Sequence, residues 1–282
     1  MKTKCFTIGL CLLLALFTSC HKDDENNGNE NGSSSQQPTE GSLLGIFSVG
    51  NGKQVRFSQG NLQYQASTDT WRFAAKQYDC IGPTNNNVNP FYQGWVDLFG
   101  WGTSGYNDIK PWLIDYQMEA ASITGTQYDW GLNNAVSNGG NEAGLWHLLT
   151  IDQWEYIVNQ RSGSRFAKAT VADMRGLMLL PDHWNDTTFA LQGVNDAAAG
   201  YESNFINAND FANKLEANGV VFLPSAGLRE GTQVNYVNGF GRYWSSTYLD
   251  KARFLFFHQN NIHSEGADYH LGFAVRLVVD AN

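Results

Sequence analysis

Cysteine is scarce in this 282-residue chain and is placed badly for cross-linking. Of four cysteines, three (Cys5, Cys11 and Cys20) crowd the N-terminus and only Cys80 lies in the remainder. If the first two leave with a signal segment and Cys20 is acylated, as read below, Cys80 has no partner, and neither a disulfide framework nor a zinc cluster of thiolates is expected. Positive charge is also short. There are 18 Lys and Arg against 27 Asp and Glu, a net charge of −9, and no block of five basic residues. Binding to nucleic acid by phosphate neutralisation is therefore not expected. The GxxxxGK[ST], HExxH and GxSxG patterns are missing, so no phosphate loop, zinc-protease helix or nucleophile elbow is signalled. No apolar run reaches the roughly 20 residues that span a bilayer. Aromatics and glycine, by contrast, are plentiful: nine Trp, twelve Tyr, seventeen Phe and 29 Gly. That balance suits short strands joined by long loops.

The N-terminus changes character abruptly. Met1 to Lys4 carries two lysines, and Cys5 to Phe17 is almost wholly apolar around Leu10, Leu12, Leu13, Leu14 and Leu16. A basic start and a short apolar run form the layout of a secretory signal peptide. A buried N-terminal helix is the competing reading, but no amphipathic period supports it. Leu16-Phe17-Thr18-Ser19-Cys20 resembles a bacterial lipobox. The resemblance implies that residues 1–19 are removed and that Cys20 is acylated, becoming the membrane anchor; multiple acyl chains suffice for stable attachment. Removal of Lys2 and Lys4 would leave 16 basic against 27 acidic residues, a balance of −11. His21-Lys22-Asp23-Asp24-Glu25 resembles the surface-export signal of Bacteroidetes lipoproteins, or else simply begins a solvated tether. The implied location is the outer membrane, lipid-anchored and facing outward. Asn26 to Gly41 holds no large apolar residue and reads as a flexible linker. Residues 20–41 are thus anchor and tether, and 42–282 read as a single folded domain.

Within that domain, Val55, Phe57, Leu62 and Tyr64 alternate with polar residues, with turn signals at Gly50-Asn51-Gly52 and Gly60-Asn61. This is hairpin chemistry. Trp71-Arg72-Phe73 reads as a third short strand. Residues 80–145 show little periodicity and read as long aromatic-studded loops, the kind that carry function or pack as insertions. LWHLLTIDQWEYIVNQR is a helix: Thr150 caps it, Gln153 completes a capping box, and Ile151, Trp154, Ile157 and Val158 follow at helical spacing. A second helix is read in NANDFANKLEANG, capped by Asn209 or Asp210, with Phe211 and Leu215 inward and Asn218-Gly219 as its stop. DMRGLMLLP and VVFLPSAG read as strands, and alternation returns in GRYWSST, ARFLFFH and GFAVRLVV.

The run IDQWEYIV resembles the helix motif of formylglycine-generating-enzyme-like domains. Phe222 to Thr247 resembles the centre of that group, and Gly272 to Val278 its last strand. The resemblance spans about Leu145 to Val278 and extends to lipoproteins of gut Bacteroidetes and to Fibrobacter-type paralogous domains. It implies an α+β, C-type-lectin-like (sulfatase-modifying-factor-like) fold of short twisted sheets, two main helices and long loops. It does not imply the oxidase, whose chemistry needs a late pair of reactive cysteines; no cysteine follows Cys80, so the chain is not expected to be an enzyme of that kind.

Several individual residues have both a functional and a packing explanation. His147, beside Trp146 and Leu148, is a ligand or base, or a packed histidine. His183 and Asp186 form a polar loop better read as capping itself. Glu155 is expected to pair with Arg161 or a backbone amine. Arg276 is expected to meet a carboxylate or an exposed aromatic. The Asn85–Asn89 and Asp129–Asn141 loops offer oxygens that could hold calcium, though without a regular ligand spacing. No other cofactor is implied.

The strongest candidate for function is YLDKARFLFFHQNNIHSEGADYHLGF. Its look-alikes keep a skeleton matched here by Ala252, Leu255, Phe257 and Ile262. Leu255 and Phe257 share one strand face; Arg253, Phe254 or Phe256, and His258 are expected on the other. A second apolar face is either covered by a loop or part of a binding surface. His263, Glu265, Asp268, Tyr269 and His270 add polar groups. In one group of look-alikes this stretch is diversified by retroelements acting on asparagine codons. Arg253, Phe254, Phe256, His258 and Tyr269 fit such an origin; Lys251, Gln259 and Glu265 do not. The reading is a non-catalytic surface lipoprotein that binds a glycan or a cell-surface protein through Arg253, Phe254, Phe256, His258, His263, Glu265, Asp268 and Tyr269. An extracellular glycan-acting enzyme and a structural tip subunit are the alternatives.

Overall fold

The structure is a computed structural model describing residues 38–281. The signal-like run, Cys20 and the tether to residue 37 lie outside the described residues. The described chain is α+β, built from small, mostly antiparallel sheets, short helices and long loops.

The chain opens with a hairpin of β1 (Phe47–Ser48) and β2 (Gln54–Phe57). Gly50, Asn51 and Gly52 turn it with φ of 88°, 54° and 71°, the left-handed conformations that glycine and asparagine accept most readily. β3 (Leu62–Gln65) pairs with β4 (Thr70–Phe73) in a separate sheet. The sequence reading linked β2 and β3 through Gly60-Asn61, and the structure corrects it. Leu62 N–H donates to Val275 O at 2.9 Å, and the buried Asn61 amide donates to Tyr243 Oη at 3.1 Å. Long-range partners outcompete a local turn there.

The loops after β4 hold one short helix, α1 (Trp130–Asn133), capped by Asp129. α2 (Ile151–Glu155) carries the expected capping box, with Thr150 and Gln153 each bonded to the other's backbone N–H. It continues as a π-helical turn over Tyr156–Gln160. Its apolar face buries Ile151, Trp154, Ile157 and Val158, each aliphatic side chain contributing roughly 1.5–3 kcal/mol. Glu155 and Arg161 do not pair. Arg161 meets Asp182 at 2.9 Å, and Glu155 accepts from Ser264 Oγ.

β5 (Phe166–Val171) and β6 (Met174–Leu179) form a hairpin. β7 (Phe205–Ile206) joins β5 in parallel. α3 (Ala208–Asp210) runs on through a π-helical stretch, Phe211–Leu215. Its cap is Asn207, which accepts from Asp210 N–H at 2.8 Å, rather than Asn209 or Asp210. Gly219, at φ 85°, closes the helical segment, which leads into β8 (Val221–Pro224). The sheet order is β7-β5-β6-β8.

β9 (Leu228–Glu230) and β10 (Gln233–Asn235) make a small hairpin. β11 (Gly241–Tyr248), β12 (Ala252–His258) and β13 (Asn261–Ala267) form the largest meander, in that order. β14 (Val278–Asp280) returns to pair with β2. The strand read over GFAVRLVV is therefore short, because Phe273 and Ala274 make only isolated bridges to Phe99 and Tyr243. Arg276 is fully buried and meets no carboxylate within bonding distance. Its Nη2 donates to Gln77 Oε1 at 2.9 Å and its Nη1 to Asn61 Oδ1 at 3.4 Å.

Candidate functional site

The three-stranded β11–β13 sheet is apolar on both faces, and cross-strand register sorts its side chains. Tyr243, Leu255 and Ser264 are directly opposite one another, as are Gly241, Phe257 and Ile262. This face packs under α2 in the cluster containing Trp154, Ile157 and Leu255. On the other face one row is Trp244, Phe254 and Glu265, and the next is Arg242, Phe256 and His263.

That second face is roofed by loops. Trp244 stacks on Phe273 at 4.3 Å, Phe254 meets Phe273 at 4.7 Å, and Phe256 meets Phe240 edge-on at 5.6 Å. The Trp244 indole donates to Phe99 O at 2.7 Å. Phe254 and Phe256 are only 2% and 7% exposed. They are packing beneath the roof, not a surface that a ligand reaches, and the expectation that they anchor one directly is corrected accordingly. Register also corrects the placement of Arg253. Residue parity puts it with Leu255 and Phe257, away from Phe254, Phe256 and His258. It approaches Asp250 at 4.0 Å, and its Nε is buried without an acceptor.

Where the roof ends, a polar rim remains. His258 lies against Phe240 and Phe256 at 5.5 and 5.3 Å. Burial, and then the nearby Lys168, bring its pKa below the usual histidine value. His263 contacts Glu265 through Nε2 and packs on Phe256 at 5.1 Å, while its Nδ1 is buried without a partner. The rim has a centre that the sequence reading missed. The Arg242 guanidinium carbon sits 4.9 Å from the Phe256 ring centroid, 5.2 Å from Phe240, and 5.7 Å from both Tyr236 and Phe273. Such cation–ring contacts are favourable. No side-chain hydrogen bond or ion pair joins Arg242 to another described residue, and its Nη1 is buried without an acceptor. Burial lowers its pKa, opposed first by the negative charge of Glu265. Tyr236, stacked on Phe240 at 4.7 Å, is 56% exposed and closes the rim. The one local signal was alternation in GRYWSST, which puts Arg242 on the face of Trp244.

Asp268 and Tyr269 stand elsewhere. Asp268 Oδ1 accepts from His270 N–H at 3.0 Å and from its ring at 2.7 Å. Chiefly the backbone bond holds its carboxyl below the usual range. Tyr269 packs against Tyr116 at 5.3 Å. Asp268 and His270 line an open groove of 430 Å³ with Asp115, Glu230 and Leu271. Of the eight expected residues, His258, His263 and Glu265 thus gather at the Arg242 rim, Phe254 and Phe256 lie under the roof, Asp268 lines this groove, and Tyr269 and Arg253 stand apart.

The remaining candidates serve structure. His147 is bridged to Val278 by backbone bonds and lies 3.9 Å from Asp280, and burial lowers its pKa. Asn185 accepts from Thr187 N–H and Oγ1, closing the polar loop on itself; His183 is exposed there. Asn85 Oδ1 accepts from the backbone of Asp97 and Leu98, and Asp129 accepts from Gly131 and Leu148 N–H. The side-chain oxygens of Asn85 and Asp129 are thus engaged by backbone N–H groups, and among the described residues no group of three His, Cys, Asp or Glu converges. Cys80 is unbonded, and burial pushes its thiol pKa up, which disfavours a reactive thiolate.

The chain matches no protein-family model, no curated protein and no solved structure.

Proposed function

We propose that this chain is a non-catalytic lipoprotein, acylated at Cys20 and displayed on the cell surface, that binds a glycan or a surface protein through a C-type-lectin-like domain. The observation that carries the binding reading is the rim around Arg242. Exposed Tyr236, half-exposed His263 and Glu265, and a guanidinium without side-chain or backbone acceptors among the described residues gather above a layer of buried rings. Flat rings beside a few oriented polar groups are what saccharide and small-ligand sites require. The lectin-like reading of the fold is supported by how the three look-alike segments meet. Trp154 Nε1 donates to Trp244 O at 3.4 Å, Ser246 N–H to Leu149 O at 2.9 Å, and Ala274 N–H to Arg242 O at 3.1 Å. The pairing of β14 with β2 brings the two ends of the described domain together.

A glycan array probed with the purified protein tests the binding reading. Retained, competable signals on a defined set of glycans are expected. If the array is blank and labelled host or bacterial surface proteins also fail to bind, the reading is wrong. Cys20→Ala should release the chain from the membrane fraction; palmitate incorporation surviving in that variant would refute the anchor.

A second reading has its own observation. Asp115, Glu230 and Asp268 line one groove with His270, and paired carboxylates are the tools of glycoside hydrolysis. Release of reducing ends from any array-positive glycan would favour this enzyme.

A further inference from the structure

We propose that the ligand of the Arg242 rim is an acidic saccharide, whose carboxylate is received by the Arg242 guanidinium while its ring lies against Tyr236. The inference rests on the binding reading above and names its chemistry. A guanidinium offers five N–H donors in a planar fork matched to a carboxylate. Burying such a group without acceptors is costly. Arg242 is half-buried, with its Nη1 enclosed; the deeply buried arginines of the domain avoid most of that cost. Arg161 has Asp182 and the carbonyls of Ile157 and Arg165. Arg276 has Gln77 and Asn61. Arg229 has the carbonyls of Leu98 and Gly231. Arg242 differs in having rings around it and no acceptor at all among the described residues. The rings surround the guanidinium without using its donors, and because the side chain is only half-buried, donors remain for an incoming anion.

The neighbours narrow the ligand further. Glu265 is engaged by His263 and lies too far from Arg242 to form an ion pair. Its charge, and the net charge of −9 on the chain, would repel a polyanion. One carboxylate on an otherwise neutral ring is tolerated. Tyr236, stacked on Phe240, presents a flat apolar surface, which suits a sugar face better than the flexible side chains of an acidic peptide. His258 and His263, at the same edge, can donate to or accept from hydroxyls.

The test is a nuclear magnetic resonance titration of the isotope-labelled protein. The probes are glucuronate, galacturonate and N-acetylneuraminate, against glucose and galactose, with acetate and a glutamate-rich peptide as controls at equal ionic strength. We expect saturable shifts around residues 236–242 and 256–265 with at least one acidic sugar, and at least about tenfold weaker binding of its neutral counterpart. Arg242→Gln should weaken the acidic sugar by about 10- to 100-fold. Arg242→Lys keeps the stem packing and the charge but loses the fork, and should also weaken it. Tyr236→Ala, at an exposed position, should weaken it with an unchanged melting temperature. Equal binding of neutral and acidic sugars, or undiminished acid binding by a folded Arg242 variant, overturns the inference while leaving glycan binding intact. Saturation by the peptide instead, or by none of the acidic sugars, overturns it as well.

Discussion

The two faces of the β11–β13 sheet are built from neighbouring residues of the same strands, yet they have different partners. The face of Leu255 and Phe257 lies under a helix that defines itself locally through its capping box. The face of Phe254 and Phe256 lies under loops that carry Phe99, Phe240 and Phe273, and its roof is incomplete. Under the helix, most polar exceptions are satisfied in place: Ser264 donates to Glu155, and the Tyr243 hydroxyl donates to Pro224 O at 2.9 Å, with Arg253 Nε, at the far end of that face, the exception among the described residues. Under the loops, Arg242 Nη1 and His263 Nδ1 are buried without partners. The closed face is nearly complete as packing. An open one leaves donors unused, and that is where a ligand has something to contribute.

The sharpest break between the faces should come from truncating their rings. Phe257→Ala removes a ring that fills the space where residue 241 has no side chain; a Cβ there would lie 1.9 Å from Phe257. Loss of about 3–5 kcal/mol in chemical denaturation is expected. Phe256→Ala sits at the rim, where neighbours can relax, and should fall at or below about 3 kcal/mol. If Phe256→Ala costs as much as Phe257→Ala, the open face is as tightly built as the closed one and the comparison fails.

The caps that hold each cover come next. Asp129 accepts from Gly131 N–H at 3.1 Å and from Leu148 N–H at 2.8 Å, tying Trp130 and Leu148 into the loop-side cluster. Asp129→Ala leaves two buried donors unsatisfied and should cost about 2–3 kcal/mol. Burial pushes the Asp129 carboxyl pKa up to about 7, so its folded value exceeds its unfolded one. Its contribution is then complete below the unfolded pKa and is lost as pH rises through about 7. The melting-temperature advantage of the natural protein over Asp129→Asn should therefore shrink between acid and mildly alkaline pH. A constant or growing advantage would contradict this. Thr150→Ala, which opens the capping box over the helix-side face, should cost about 1 kcal/mol; a cost near zero would mean that tertiary contacts alone hold α2.

The smallest stability effect belongs to the rim itself. Tyr236→Ala should change stability by less than about 0.5 kcal/mol. A larger loss would make Tyr236 part of the packing and remove it from the site.

What could be read in advance follows the same division. The Thr150–Gln153 box and the Phe211 and Leu215 positions were legible because helix chemistry is local. The turn at Gly50-Asn51-Gly52 was legible for the same reason. The double apolar character of Ala252 to Phe257 was legible as a fact but ambiguous in meaning, since a loop roof and a ligand predict the same composition. Arg242 was not legible. Its surroundings come from Tyr236, Phe240, Phe256 and Phe273, and only the return of the chain after β13 brings Phe273 to it. The Arg161–Asp182 pair was missed because Glu155 offered a closer partner in sequence, while the end of α2 turns Arg161 toward the loop after β6.

The most direct measurement of the central claim is a hydrogen-exchange footprint of the protein with a glycan selected from the array. Protection is predicted in residues 236–242 and 256–265, at the open edge of the loop-side face. Protection confined to the groove of Asp115, Glu230, Asp268 and His270, with the Arg242 rim exchanging as before, would contradict it.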